Sequence, residues 1–121
     1  MIYDERWYRM ELGPPDFNGQ RLKQDGTLAV LFLASWCPFC RQFRPTFEAA
    51  AKSSNTSWAW VDVSEDESIF WDTFGLNVVP TVVVFKDGEA LFRRDGERGR
   101  GLSQNVIRET IDYTKASVTE N

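Results

Sequence analysis

The pattern of apolar and polar positions along the chain predicts a series of buried strands. Residues 27–34 (TLAVLFLA) form a continuous apolar run, as expected of a strand that is buried on both faces of a sheet. Residues 57–63 predict a second strand, in which part of the segment alternates between apolar and polar residues and part is buried. Residues 81–85 are rich in β-branched residues and predict a third strand. The Asp-Gly pair at 87–88 predicts a tight turn into an antiparallel strand at 90–94.

The longest predicted helix begins near Cys37 or Pro38. Pro38 suits the first helical position, where its fixed φ fits the helix and its missing N–H costs nothing. Pro45 lies inside the same segment and is expected to kink the helix. The apolar side chains of this segment recur at helical spacing and mark its buried face: Phe43, Phe47, Ala50 and Ala51.

Shorter elements complete the pattern. Residues 6–12 predict a first strand, and residues 16–24 and 66–74 each predict a short helix. Residues 102–114 predict a final amphipathic helix whose apolar stripe faces the sheet. The polar residues 116–121 are expected to form a frayed tail.

The order of these elements is β-α-β-α-β-α-β-β-α. The first part alternates as a parallel sheet with crossover helices does, and the end is a hairpin followed by a helix. The sequence therefore predicts an α/β fold in which a mixed central β-sheet is flanked by helices on both faces. The 121 residues, of which 42% are hydrophobic and 14% aromatic, are enough for a single domain over residues 1–121.

Charge and hydropathy limit the partners of this domain. The net charge is -4 at pH 7 and the chain has no basic cluster, which argues against nucleic-acid binding. The longest apolar run, residues 28–34, is far shorter than the roughly 20 residues that span a bilayer. The first ten residues, MIYDERWYRM, contain no apolar segment typical of a secretory signal. We therefore expect a cytoplasmic protein that binds neither nucleic acid nor a membrane, and we take a monomer as the default state.

Both cysteines of the chain, Cys37 and Cys40, lie three residues apart at the predicted start of the long helix. Residues i and i+3 of a helix have Cβ atoms about 5–6 Å apart, so the two thiols can form a disulfide without a large backbone movement. The unpaired N–H groups at a helix N-terminus stabilise a thiolate. The position predicts an exposed nucleophile at Cys37 and, one turn deeper, a protected resolving thiol at Cys40.

Three kinds of site share this spacing: a redox centre, half of a metal site and a structural disulfide. A zinc site needs four ligands, whereas the chain has two cysteines and no histidine. A structural disulfide that closes so small a loop removes little chain entropy, which makes it a weak stabiliser. The strand-to-helix context favours the redox centre, without a metal.

With these motifs in this order, the chain resembles the thioredoxin family over residues 16–114. Residues 36–40 (WCPFC) are similar to the family's Trp-Cys-x-x-Cys, and Pro45 stands where the family has a helix proline, five residues after the second cysteine. Residues 79–89 (VPTVVVFKDGE) resemble the family's segment that contains a cis-proline and the following hairpin. Gly96 stands where the family has a glycine beside the active site.

The resemblance implies a thioredoxin fold and a thiol–disulfide oxidoreductase that acts as a protein disulfide reductase. Cys37 would attack a client disulfide, and Cys40 would then attack Cys37 and release the reduced client. The resemblance implies no cofactor other than the redox-active disulfide Cys37-Cys40. The implied partners are disulfide-containing client proteins and an upstream reductase, thioredoxin reductase.

The resemblance also implies a client-binding surface around the cysteines. A cis Val79-Pro80 bond would lie across from the cysteine pair and leave the Val79 backbone free to pair with an extended client. Phe39 is expected to face solvent between the thiols and to add to an apolar surface, or alternatively to fold back onto the core. Trp36 is expected to be either an aromatic shelf beside Cys37 or a core residue at the strand end.

One departure from the family pattern concerns the second cysteine. Leu31 stands at the position of the family's buried aspartate, and Trp60 stands near that of its partnering lysine. Loss of both charges together avoids leaving one buried charge alone, which would be costly. It leaves the proton acceptor of Cys40 open: water, the departing client thiolate or a carboxylate from another element could serve.

A second departure is Pro38-Phe39, in place of Gly-Pro, between the cysteines. Reduction potentials run from about -270 mV for thioredoxin to about -200 to -230 mV for glutaredoxins and about -120 mV for a strong oxidant. Because Pro38 and the helix N-terminus favour a Cys37 thiolate, we expect a potential somewhat less reducing than that of thioredoxin. Two rival functions stay open: a glutathione-coupled (glutaredoxin-like) or oxidant-like thiol exchanger, and a partner-binding module without turnover.

Overall fold

The computed structural model describes residues 11–119 of the chain, with side chains to residue 117. Seven strands and three α-helices lie within that range, and a 3₁₀ turn (Pro14–Asp16) follows the first strand. None of these helices is long and apolar enough to cross a membrane. The strands are β1 (Glu11–Leu12), β2 (Phe17–Asn18), β3 (Arg21–Leu22), β4 (Thr27–Leu33), β5 (Trp58–Asp62), β6 (Thr81–Lys86) and β7 (Glu89–Asp95). The helices are α1 (Pro38–Ser53), α2 (Ile69–Thr73) and α3 (Gln104–Thr119).

Five of the strands form one mixed sheet in the order β1-β5-β4-β6-β7. Strands β1, β5 and β4 are parallel, whereas β6 is antiparallel to β4 and β7 is antiparallel to β6. The apolar strand β4 lies at the centre, and its residues from Leu28 to Leu33 are all buried. The prediction of a strand buried on both faces is confirmed.

Helices cover both faces of this sheet. On one face, α1 and α3 contact each other, and Phe47 of α1 packs edge-on against Trp58 of β5. On the other face, Phe70 of α2 packs against Phe32 of β4 and Phe17 of β2. Successive side chains of a strand point to opposite faces, so the unbroken apolar run of β4 fills both layers of the core. The predicted α/β fold, with a mixed sheet between helices, is confirmed.

The helix predicted over residues 16–24 is wrong, because this segment forms the end of the 3₁₀ turn and a small hairpin of β2 and β3. Asn18 and Arg21 pair across a two-residue loop whose first residue, Gly19, has a φ of 61°. Two-residue hairpin loops need positive φ, which glycine adopts without steric cost. Phe17 and Leu22 are buried and anchor the hairpin to the core.

Helix α3 is longer than predicted. It continues past residue 114 to Thr119, so the prediction of a frayed tail from residue 116 is wrong as far as residue 119, and the last two residues lie outside the described range. Its inner face buries Thr110, Thr114 and Ser117. The two threonine hydroxyls each donate a 2.7 Å hydrogen bond to a carbonyl one turn earlier, which satisfies them inside the helix. Polar residues can therefore continue the buried face.

The other elements agree with the predictions to within a few residues. Strands β4 to β7, including the hairpin of β6 and β7, correspond to the predicted strands. Helix α2 is shorter than predicted because Ser68 caps it, with its Oγ accepting a 3.3 Å hydrogen bond from the Phe70 N–H. Of the strand predicted at residues 6–12, Glu11–Leu12 forms β1, and residues 6–10 lie outside the described range.

Candidate active site

The two cysteines lie at the junction between β4 and α1. Cys37 is the N-cap residue of α1, and Pro38 is the first helical residue, as predicted. The backbone N–H of Cys40 donates a 3.2 Å hydrogen bond to Cys37 Sγ. The Cys37 sulfur thus takes the place of a capping hydroxyl, at the end of the helix where a negative charge is favoured. Both cysteines are free thiols, so the structure shows the dithiol form.

The prediction that Cys37 is exposed is wrong. Cys37 is 4% exposed, which is nearly the same as the 3% of Cys40. The Cys37 thiol donates a 3.4 Å hydrogen bond to the Val79 carbonyl oxygen in the loop before β6. The two thiols therefore differ in their hydrogen bonds and electrostatics rather than in their exposure.

The surroundings of Cys40 disfavour its thiolate. Burial, and after it the hydrogen bond with Cys37, raises the pKa of the Cys40 thiol to about 12. The Ala34 backbone and the positive charge of Arg41 lower the pKa, but their effects are smaller. At neutral pH Cys40 is therefore protonated, and it must lose this proton before its sulfur can attack another sulfur atom.

The register of the sheet brings the loop before β6 to the cysteines. Strand β6 is antiparallel to β4, and Thr81 at the start of β6 pairs with Phe32 near the end of β4. The Val79-Pro80 peptide bond just before Thr81 is cis. The Val79 carbonyl is engaged by Cys37 rather than free, whereas no residue in the range 11–119 accepts a hydrogen bond from the Val79 N–H.

Gly96 packs directly on this loop. A Cβ atom at position 96 would lie 2.6 Å from the Pro80 carbonyl oxygen, which is too close for any side chain. The Gly96 N–H donates a 2.9 Å hydrogen bond to the same oxygen. Because the backbones approach so closely, glycine at this position determines how near the end of β7 comes to Pro80.

Phe39 does not extend into solvent between the thiols. It is half-buried and packs against the core, in line with the alternative that it folds back. Its neighbour is Gly101, where a Cβ atom would lie 2.7 Å from the Cβ of Phe39. Gly101 ends a turn that is closed by hydrogen bonds in both directions between Glu97 and Gly101, at 2.9 and 2.8 Å. No pattern in the sequence links Gly101 to Phe39.

Trp36 is a surface residue rather than a core residue. It is 54% exposed, and its indole N–H donates a 2.8 Å hydrogen bond to the Ser64 carbonyl oxygen. Its ring is nearly parallel to that of Trp71, with an interplanar angle of 8° and a centroid distance of 6.4 Å. The indole N–H of Trp71 donates a 3.2 Å hydrogen bond to the next carbonyl oxygen, that of Glu65. The shelf beside Cys37 is thus a pair of indoles, and no sequence motif indicates that Trp71 belongs to it.

Ser64 connects the segment before α1 with the segment after β5. Its Oγ accepts a 2.7 Å hydrogen bond from the Ser35 N–H and donates one to Asp62 Oδ1. Its own N–H donates a 2.8 Å hydrogen bond to the same Asp62 oxygen. The Ser64 carbonyl also accepts the indole N–H of Trp36, so Ser64 holds both Ser35 and Trp36 in place before Cys37. No sequence motif indicated Ser64 or Asp62.

A cavity of about 160 Å³ borders Cys40 on the side of α1 and β5. Leu31, fully buried, pairs with Trp60 across β4 and β5, so the positions of the family's buried charges are indeed apolar here. The Arg44 guanidinium lies over the Trp60 ring, 4.0 Å from its centroid. We call this space the Cys40 cavity, and its lining residues are Leu33, Ala34, Ser35, Cys40, Arg41, Arg44, Trp60 and Asp62.

The remaining predicted residue, Pro45, lies inside α1 on its exposed side.

Among the described residues, no group of three or more His, Cys, Asp or Glu side chains could hold a metal ion. The site therefore consists of two thiols, the cis-proline loop, the indole pair and the Cys40 cavity.

Comparison with known proteins agrees with this geometry. The thioredoxin family model matches residues 10–109. Thioredoxin H4 of Arabidopsis thaliana is 34% identical over 93 residues, which cover 74% of this chain and 77% of that protein. Protein disulfide-isomerase like 2-2 of Arabidopsis thaliana is 29% identical over 103 residues, which cover 83% of this chain and 23% of that protein. The structure of Fasciola hepatica thioredoxin has a TM-score of 0.62 at 32% identity and covers 75% of this chain and 83% of that one.

The matched span includes every part of the site, from the indole pair to the turn at Gly101. Members of this family use a redox-active cysteine pair and no external cofactor, which agrees with the two free thiols at the start of α1. The chain therefore belongs to the thioredoxin family and is a thiol–disulfide oxidoreductase with a thioredoxin fold.

Proposed function

We propose that the protein reduces disulfides of client proteins, with Cys37 as the nucleophile and Cys40 as the resolving thiol. The observation that carries this proposal is the electrostatic difference between the two sulfur atoms. Cys37 Sγ accepts the Cys40 N–H at the N-terminus of α1, where a thiolate is stabilised. The pKa of about 12 keeps Cys40 protonated, and so unreactive, until the second step.

The reaction consists of two exchanges of sulfur partners. The Cys37 thiolate attacks one sulfur of the client disulfide, forms a mixed disulfide with it and releases the other client sulfur as a thiolate. Cys40 then loses its proton and attacks Cys37 Sγ, which forms the Cys37-Cys40 disulfide and releases the second client sulfur. The client gains two electrons and two protons, and the cysteine pair loses them.

The loop before β6 is suited to binding the client backbone. Only a protonated Cys37 can donate to the Val79 carbonyl, so formation of the thiolate breaks that hydrogen bond. Both the carbonyl and the N–H of Val79 then become available to an extended client segment, which can pair with them as an added strand. Trp36, exposed beside Cys37, would contact the client on the opposite side of the thiol.

We further propose that the protein is a cytoplasmic monomer that receives its electrons from a thioredoxin reductase. A cytoplasmic site suits a chain with two cysteines and no disulfide scaffold. The similarity to Thioredoxin H4 supports the thioredoxin-type donor. The rival electron donor is glutathione, and the rival direction is oxidation of clients.

Trapping of client proteins tests the assignment of the two thiols. We expect a Cys40→Ser variant to accumulate mixed disulfides with clients, because the second step is blocked, and a Cys37→Ser variant to trap none. The parent protein should accelerate the reduction of insulin by dithiothreitol, and both variants should fall to the uncatalysed rate. Trapping by Cys37→Ser instead would reverse the two roles. Absence of trapping by either variant, with no insulin reduction by the parent, would favour the binding module.

A further inference from the structure

The Cys40 cavity has one wall without charge and one wall with charge. The sheet contributes the apolar side chains of Leu33 and Trp60 to the lining. Leu31, which pairs with Trp60 across β4 and β5, is fully buried and supplies no charge beneath it. The polar lining comes from α1 and from the ends of β4 and β5. Among the described lining residues, Asp62 supplies the one carboxylate.

Cys40 needs a proton acceptor during the second step of the exchange. In the dithiol form its pKa is about 12, and the largest cause is burial, which does not depend on the charge of Cys37. Burial therefore also disfavours the Cys40 thiolate when Cys37 is bonded to a client. Cys40 is one of the residues that line the cavity, which therefore offers a space through which its proton can leave. A volume of about 160 Å³ holds several water molecules, each of which takes about 30 Å³ in the liquid.

Asp62 is oriented to receive this proton. Both hydrogen bonds that it accepts from Ser64 go to Oδ1, which fixes the carboxylate. Within residues 11–119 no group donates to Oδ2, which can therefore accept from water. The residue is exposed at the end of β5, so a proton taken from the cavity can pass on to solvent. The chemistry required is that of a general base acting through water.

The positive charges of the cavity favour the product of this proton transfer. Arg41 lowers the pKa of Cys40 by its charge, and its guanidinium is held by a 2.9 Å hydrogen bond to the Ser35 carbonyl oxygen. Arg44 lies over Trp60 and forms the outer part of the wall. The charged groups that line the cavity are therefore Arg41 and Arg44 from α1 and Asp62 from β5.

We propose that Asp62 accepts the Cys40 proton through water in the Cys40 cavity during the second step, while Arg41 stabilises the thiolate. The S–H bond of Cys40 breaks, its proton passes to the Asp62 carboxylate, and its sulfur forms the bond to Cys37 Sγ. The bond between Cys37 and the client breaks in the same step, and the client thiolate takes a proton from solvent. The inference rests on the proposed roles of the two cysteines.

Rapid mixing of the reduced protein with an aromatic disulfide that releases a coloured thiolate separates the two steps. Attack by Cys37 releases the first thiolate at a rate that rises with the disulfide concentration. Attack by Cys40 releases the second at a rate that does not depend on that concentration. An aromatic thiolate is a weak base, so the departing group does not itself take the Cys40 proton.

We expect Asp62→Asn to slow the second phase at least about tenfold at neutral pH and to leave the first phase within about twofold. Asparagine keeps an oxygen that accepts from Ser64, so the loop geometry is preserved. The defect should shrink as the pH rises toward about 9, because hydroxide replaces the carboxylate. Asp62→Glu should restore most of the rate, and Asp72→Asn, which changes an exposed carboxylate on α2, should leave both phases unchanged.

An unchanged second phase in Asp62→Asn, or a defect that does not vary with pH, overturns the proposal. Equal slowing of both phases also overturns it, because that result means a distorted site. A parent protein that shows no concentration-independent phase contradicts the proposed roles of the cysteines instead, so the two failures are distinguishable.

Discussion

At the scale of the residue, the two cysteines belong to one short motif, but their electrostatic surroundings in the folded protein differ. Cys37 accepts a backbone N–H at the helix start, whereas Cys40 is held as a thiol by burial and by its hydrogen bond with Cys37. The motif spacing was sufficient to locate both residues. It could not show that both are almost fully buried, because their burial comes from the loop at Val79 and from the sheet.

The raised pKa of Cys40 links the stability of the reduced protein to pH. Between about 8.5, the ordinary value for an unfolded cysteine, and about 12, the unfolded chain loses this proton while the folded protein keeps it. The unfolded state then binds fewer protons, so the free energy of unfolding should fall as the pH rises through this window. Urea unfolding at a series of pH values measures the slope.

The control for this prediction is a Cys40→Ala variant, which keeps every other group that titrates in the same window. We expect its free energy of unfolding to decline less steeply with pH than that of the parent protein under reducing conditions. Identical slopes for the reduced parent and Cys40→Ala would contradict the raised pKa.

At the scale of the element, the active site is assembled by loops whose backbone groups are held by hydrogen bonds from neighbouring segments. The loop before α1 is bound by Ser64 after β5, and the loop before β6 is bound by Gly96 after β7. Hydrophobic pattern predicted the strands that carry these loops. It did not predict the hairpin of β2 and β3, which depends on the positive φ of Gly19 and on the burial of Phe17 against the rest of the core.

The close contact at Gly96 predicts an unequal response to two similar substitutions. We expect Gly96→Ala to lower the free energy of unfolding by about 1–3 kcal/mol, because a Cβ atom 2.6 Å from the Pro80 carbonyl forces the backbones apart. The first phase of the reaction with the aromatic disulfide should also slow, because Val79 and Pro80 move relative to Cys37. Urea unfolding and rapid mixing measure the two effects.

Gly13→Ala is the matched control, because a Cβ atom at that position would meet its nearest neighbour, Pro15, at 3.7 Å, which is an ordinary contact. Its free energy of unfolding should stay within about 0.5 kcal/mol of that of the parent. Equal effects of the two substitutions would show that the contact at Gly96 relaxes without cost.

At the scale of the whole molecule, the sheet brings residues that are distant in sequence to one edge. The antiparallel pairing of β4 with β6 puts Val79 beside Cys37, and the parallel pairing of β4 with β5 puts Asp62 and Ser64 beside the loop before α1. The redox potential belongs to this scale, because it depends on the energies of both thiols and of the disulfide in the folded protein.

We expect the potential to lie between about -270 mV and about -200 mV, less reducing than that of thioredoxin. The reason is that the Cys37 thiolate accepts a hydrogen bond from the Cys40 N–H at the start of the helix, where Pro38 is the first residue. Stabilisation of this thiolate favours the reduced form of the protein. Equilibration with defined ratios of reduced and oxidised glutathione measures the value. A double exchange, Pro38→Gly with Phe39→Pro, should move it toward that of thioredoxin, and a parent value at or below about -270 mV would contradict the prediction.

The sequence by itself determined the features that depend on neighbouring residues: the apolar strands, the helix that starts at Pro38, the tight turn between β6 and β7, and the cysteine spacing that indicated redox chemistry. Only the tertiary structure decided which partners these features meet. Trp71 beside Trp36, Ser64 beside Ser35 and Asp62 at the Cys40 cavity are each separated from their partners by more than twenty residues of chain. Such contacts follow from strand register and layer packing, which no local pattern encodes, because they depend on the burial of the whole core at once.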